Sequence, residues 1–324
     1  MLFITNRSIK EADKRKITVA RRIRFELKDN QAGHSVYFCE RTGKDDYQEI
    51  GSGDFLKRLR ECEADHLLFY IHGFSNLPEP DIFPRSETLQ KLFDGKKRNY
   101  VKVIPLIWPC DDDKGIIKDY WDDQKSADAS AFAFARVLEK FMAWREENPN
   151  EEAPCLKRIN VLAHSMGNRV LRQTLLHWAK YDRNWEIPLI LRNSFLLAAD
   201  IVNESLERDN PGKFICQASR NVSVYFASDD LALRASKASN LKNKVASRRL
   251  GHSGPENLEL IPRNVFSVDC DDVNTRYDPL TGHCYFLEDG EGNPGRVFDH
   301  IFNSIQSGRV EVEDPVNRMH LIRG

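Results

Sequence analysis

The sequence predicts an α/β fold: a mostly parallel central sheet with helices on both faces, and antiparallel strands at its N-terminal side. Three observations lead there. From about residue 66 onward, short apolar runs alternate with amphipathic stretches, the pattern of strands joined by crossover helices. The first forty residues hold strand-like runs with no helical stretch between them. One apolar run, Ile159 to Ala163, passes through His164-Ser165-Met166-Gly167 straight into an amphipathic pattern, giving strand, tight turn and helix in succession.

Taken in order, the N-terminal strands are Leu2–Thr5, Ile23–Leu27 and Ser35–Cys39. A buried strand, His66–Ile71, ends at His72-Gly73-Phe74, and another, Val101–Trp108, is closed by Pro109. From about Ser126 to Arg145 the residues Ala131, Phe134, Ala135, Leu138, Phe141 and Met142 recur at helical spacing. The helix after Ser165 carries Leu171, Leu175 and Trp178 on one face. Three further strands, Ser194–Ala199, Val222–Ala227 and Val265–Asp269, precede a last helix at Arg296–Ile305. No repeat and no Pro/Gly/Ser linker divides the chain, so one domain over 1–324 is expected, with 234–262 as a small lid or excursion.

Composition narrows the class. The chain has 324 residues and a formal net charge of −1, unlike the basic excess of a dedicated nucleic-acid binder. Its seven cysteines are scattered and form no C-x-x-C, which suits free thiols in a reducing compartment. The apolar start, Met1 to Ile4, is too short for a signal peptide, and no run is long enough to span a bilayer. The expectation is a soluble, cytoplasmic protein. Asp111–Asp113, Asp122-Asp123 and Asp269-Cys270-Asp271-Asp272 lack the ligand spacing of a metal site and read as solvated loop charge. The basic stretch Lys237–Arg249 either guides an anionic substrate, covers a pocket, or is a solvated excursion. Trp108, Trp121, Phe132 and Phe134 are candidates for an apolar acyl pocket, with core packing as the default for the last two.

The chemistry centres on Ser165. A serine hydroxyl is a poor nucleophile at neutral pH; it needs a base within hydrogen-bond reach, and the base needs a third group to fix its tautomer. A later strand ends in Ala227-Ser228-Asp229-Asp230, and the final strand is followed by Gly282-His283-Cys284. His283 is the favoured base, with Gly282 letting its loop bend. Neighbours on an extended turn point opposite ways, so only one of Asp229 and Asp230 can serve. Asp230 is favoured as the acid, with Asp229 and Asp200 as alternatives and turn-capping as the expected role of Asp200. His164 is expected to pack or hydrogen-bond beneath the turn. The oxyanion donors expected of such a site are the backbone N–H groups of Met166 and Phe74.

These residues give the chain a resemblance to the α/β-hydrolase superfamily, and within it to a bacterial branch of unknown function. The resemblance runs from Phe3-Ile4-Thr5-Asn6-Arg7 through His72-Gly73-Phe74, Trp108-Pro109, Tyr120, Asp123, Ser126-Ala127 and Ala163 to Arg169. It continues through Ala199-Asp200, Tyr225, Ala227-Ser228, Asp230 to Leu233, and Gly282-His283. It implies a triad of Ser165, Asp230 and His283, serine esterase-like chemistry on a small-molecule acyl substrate, and no cofactor. The chain departs from the branch at Ser75, where Asn is common, in the Pro-rich stretch to Pro84, and at Ala199-Asp200-Ile201-Val202. Acyl transfer to another acceptor, or a non-catalytic binding or regulatory scaffold, are the competing expectations. Substrate identity and oligomeric state are not legible in the sequence.

Overall fold

The computed structural model describes residues 1–11, 21–28, 30–110, 116–147, 157–241 and 248–324. Asp111–Asp113, Cys155 and the centre of the basic stretch, 242–247, lie outside them. The chain divides into two compact units, Met1–Arg158 with Gln173–Trp185, and Ile159–Arg172 with Glu186–Gly324.

The first unit holds β1 (Leu2–Arg7), β2 (Ile9–Glu11), β3 (Arg21–Phe25), β4 (Ala32–Gly43), β5 (Asp46–Glu49), β6 (His66–Ile71) and β7 (Val101–Ile107). Its helices are α1 (Gly51–Glu61), α2 (Phe83–Lys96) and α3 (Ile116–Glu147). The strands run in the order β6-β7-β1-β4-β5-β3-β2. The pairs β6–β7 and β7–β1 are parallel, and from β1 outward every pair is antiparallel. The expected division into parallel core and antiparallel N-terminal strands is therefore present. The three-residue β2 and four-residue β5 were missed because strands so short carry no readable alternation. Phe3, Phe25, Tyr47 and Phe83 form an aromatic core with ring centroids 4.8–5.9 Å apart. Phe134 and Trp108 are buried, whereas Phe132 is 51% exposed and stacks on His177 rather than entering the core.

The second unit holds β8 (Arg158–His164), β9 (Leu191–Leu197), β10 (Ser219–Phe226), β11 (Val265–Asp269) and β12 (Met319–Leu321), paired in that order and parallel throughout. Between and after them come α4 (Gly167–Asp182, whose second half belongs to the first unit), α5 (Lys213–Ala218), α6 (Leu231–Leu241), α7 (Leu250–Ser253), α8 (Asn274–Tyr277) and α9 (Arg296–Ser307). Strands β8 to β10 are buried along most of their length, yet they carry polar residues among the apolar ones. Their register is fixed by a polar ladder. Asn193 Nδ2 donates to Asn160 Oδ1 at 2.8 Å, and Asn221 Nδ2 donates to Asn193 Oδ1 at 2.9 Å. A one-residue slip would strand the buried amides of Asn160 and Asn193 without partners.

Helix α9 buries Val297, Phe298, Ile301 and Ile305 and ends at Gly308, whose φ of 70° suits the left-handed cap. On its buried face His300 Nδ1 accepts from the Tyr225 hydroxyl at 2.8 Å, and its Nε2–H donates to the Glu311 carbonyl at 3.2 Å. Burial lowers its pKa to about 4 despite the Glu311 hydrogen bond, with His320 adding to the shift. The unfolded chain takes up this proton at ordinary histidine pH, the folded chain only near 4. Stability is therefore complete above the unfolded value and is lost as pH falls towards 4. We expect the unfolding free energy to drop by about 2 kcal/mol from this group between pH 7 and 5. Denaturant titrations of wild type and His300→Gln would check it: the variant should show a shallower pH dependence, and parallel curves would rule the linkage out.

Candidate active site

Ser165 sits in the turn between β8 and α4 with φ of 53°, a left-handed conformation that costs a residue bearing a Cβ on the order of 1 kcal/mol. The surrounding hydrogen bonds enforce it. Ser165 N–H donates to the Leu197 carbonyl at 2.9 Å. The Ser165 carbonyl accepts from the N–H groups of Asn168 at 3.1 Å and Asp200 at 3.2 Å, and from Asn168 Nδ2 at 3.0 Å. The same Asn168 amide reaches the carbonyls of Ala163 at 2.9 Å and Leu197 at 3.3 Å. This fully buried side chain thus staples the end of β8, the turn and the end of β9. The sequence reading used Asn168 only as part of the motif and missed this role; a small amide three residues after a turn serine was the available signal. Met166 precedes α4, so its N–H lies before the helix's own ladder begins.

Asp230 is the residue before α6, and its buried carboxylate is divided between two tasks. Oδ1 accepts from the N–H of Leu233 at 2.9 Å, capping the helix. Oδ2 accepts from His283 Nδ1 at 2.7 Å. The cap aims the second oxygen, because a carboxylate fixed at one oxygen loses its rotamer freedom. The preceding turn is held by Asp271, which accepts from the Ser228 N–H at 2.6 Å and hydroxyl at 2.8 Å.

The other candidate carboxylates have different partners. Asp229 Oδ1 accepts from Asn274 Nδ2. Asp200 pairs with Arg249 Nε at 3.1 Å and accepts from the Ser236 hydroxyl at 2.6 Å, with both charged side chains nearly buried. Around that pair, α7 joins the core: Gly251 N–H donates to the Ala199 carbonyl at 2.9 Å, and Ala227 N–H donates to the Gly251 carbonyl at 3.0 Å. The C-terminal end of the expected excursion is thus packed against the carboxyl ends of β9 and β10.

His283 follows Gly282, whose φ is 64° and whose added Cβ would press on Asn274 Nδ2 at 2.7 Å. The His283 ring lies 4.7 Å from that of His164, the residue before Ser165. His164 Nε2–H donates to the His283 carbonyl at 3.2 Å, the placement expected for a histidine beneath the turn. The structure thus brings Asp230 and His283 together and seats the His283 loop against the end of β8. No hydrogen bond joins His283 Nε2 to Ser165 Oγ among the described residues. Ser165 and His283 are 3% and 8% exposed, so both are screened from bulk water.

In the first unit, Phe74 follows β6, with its ring edge-on to Tyr120 at 5.7 Å and its carbonyl accepting from Asn76 Nδ2 at 2.5 Å. Ser75 has φ of 55°, and its N–H donates to Asp123 Oδ2 at 3.1 Å. Asn adopts that conformation more readily than Ser. His72 is fully buried: Nδ1–H donates to the Gly73 carbonyl at 2.8 Å and Nε2 accepts from the Trp108 N–H at 3.2 Å. Burial lowers its pKa to about 3, so it is a neutral structural imidazole with both nitrogens engaged. No helix of the described residues is long and apolar enough to cross a membrane.

Comparison with solved structures finds Phospholipase PlaB from Legionella pneumophila in complex with thio-NAD, 15% identical, covering 63% of this chain and 37% of that chain with a TM-score of 0.25. A second structure of that phospholipase is 12% identical, covers 63% and 38% respectively, and has a TM-score of 0.26. The chain spans well under half the length of these solved chains. No curated protein matches it. The profile of one family, described as alpha/beta hydrolase of unknown function (DUF900), matches residues 50–291. That match takes in β6, the Ser165 turn, Asp230 and His283, and the chain belongs to this α/β-hydrolase family.

Proposed function

We propose that this chain is a serine hydrolase that cleaves an ester or related acyl bond through an acyl-enzyme. The reading is carried by one observation: a serine held in a left-handed strand-to-helix turn in the unit where a buried carboxylate grips Nδ1 of a histidine at 2.7 Å. With Nδ1–H given to Asp230, the lone pair of His283 lies on Nε2, the nitrogen that a general base must offer. Ser165 Oγ attacks the carbonyl carbon while its proton passes to His283 Nε2. The charged imidazole is stabilised by Asp230, then returns the proton to the leaving alkoxide. Water repeats the sequence and releases the acid. The hydroxyl–imidazole contact this needs, ~2.6–3.2 Å, commonly tightens only with substrate in place. The Met166 N–H supplies an oxyanion donor. The second expected donor, the Phe74 N–H, rests on the sequence alone.

A fluorophosphonate probe is expected to label the wild type at Ser165 and to leave Ser165→Ala unlabelled. Equal labelling of both would overturn Ser165 as nucleophile. The open Ser165–His283 contact favours, as a second reading, a hydrolase-like scaffold without turnover. A broad panel of p-nitrophenyl esters separates the two, and product analysis with added alcohols separates hydrolysis from acyl transfer.

A further inference from the structure

We infer that Asp278 is a positioning residue for His283, acting with His164 to clamp the peptide of the base from both sides; the inference rests on the serine hydrolase reading. The loop from Asp278 to Cys284 closes on one carboxylate. Asp278 Oδ2 accepts from the His283 N–H at 2.9 Å, the Cys284 N–H at 2.9 Å and the Thr281 hydroxyl at 2.6 Å, while Oδ1 accepts from the Thr281 N–H at 3.4 Å. Its own carbonyl accepts from the Gly282 N–H at 2.8 Å. On the far side of the same peptide, the His283 carbonyl accepts from His164. A carbonyl cannot donate, so His164 must carry its proton on Nε2. A further tie, Leu231 N–H to the Thr281 carbonyl at 3.0 Å, fixes the loop to the residue after Asp230.

The consequence is geometric. The imidazole of His283 is held at its tip by Asp230, but one hydrogen bond leaves the ring free to swing with its backbone. Asp278 and His164 remove that freedom, one through the N–H and one through the C=O. Burial raises the pKa of Asp278, but the Thr281, Cys284 and His283 donors outweigh it, leaving the carboxyl below its usual range. The carboxylate is therefore ionised where the base works. Displacing a reacting group by about 1 Å costs on the order of a hundredfold in rate.

The test is Asp278→Ala, with Asp278→Asn as the gentler variant should alanine fail to fold. The readouts are kcat against KM on a p-nitrophenyl ester and the low-field proton resonance of His283 Nδ1–H. We expect kcat to fall about 10- to 100-fold with KM changed less than about threefold. The resonance should shift upfield or broaden, and Asp278→Asn should fall between wild type and alanine. A folded Asp278→Ala protein with wild-type kcat and an unmoved resonance would overturn the inference. A wild type that neither turns over nor takes the fluorophosphonate would sink the hydrolase reading instead, while the resonance would still decide whether Asp278 sets the imidazole.

Discussion

Replacing His283 with alanine is expected to lower kcat/KM on an activated ester by about 10³- to 10⁶-fold, and adding Ser165→Ala should make the enzyme no slower. In the proposed mechanism the two residues share one proton. Without the imidazole the hydroxyl keeps its proton and cannot attack, and without the hydroxyl the imidazole has nothing to deprotonate. Their losses therefore coincide rather than add, and the residue of activity comes from oxyanion donors and binding. Asp230→Asn should follow with a loss of about 10⁴-fold: the amide can present N–H to Nδ1, which shifts the imidazole proton to Nε2 and removes the lone pair that the proposed mechanism requires of the base. Steady-state kinetics of the two single variants and the double variant form the measurement. Losses that multiply would mean that Ser165 and His283 do not work as one unit.

The largest stability effect expected is that of Gly251→Ala. Gly251 is buried in α7, where an added Cβ would fall inside contact distance of the Ala198 and Ala199 backbone. Those residues end β9 beside the elbow, and Ala198 itself has φ of 43°. Backbone on both sides is already tied by the Gly251–Ala199 and Ala227–Gly251 hydrogen bonds, so the clash cannot be relieved by a rotamer change. A loss of about 4 kcal/mol follows, or about 10 °C in Tm for a chain of this size. Gly53→Ala is the control. That glycine is exposed within α1 with nothing near its missing Cβ, so alanine should be neutral or stabilising by up to about 1 kcal/mol. Calorimetry that found the two variants alike would refute the packing argument.

Long elements were legible because their burial is written in their periodicity. His66–Ile71 and Val265–Asp269 have the expected bounds, and the helix expected from Ser126 extends in both directions to Ile116 and Glu147. Phe132 lies outside the periodic set of that helix, and in the structure it is 51% exposed and stacks on His177, so the spacing was the better guide than the default of core packing for an aromatic residue. The carboxylates show a limit of local pattern. Asp200, Asp229 and Asp230 each end or follow a strand, and in the sequence they differ only by position. In the structure one is matched to Arg249, one to Asn274 and one to His283.

By itself the sequence determined the strand-and-helix alternation, the elbow at Ser165 and the loop at His283, because apolar period and turn chemistry act between residues close along the chain. Only the tertiary structure decided which carboxylate meets the imidazole, that Asn168 staples the turn and that Asp278 closes the base loop. Those are hydrogen bonds whose partners depend on where separate strand ends arrive in space, and no local pattern encodes the ångström on which each of them depends.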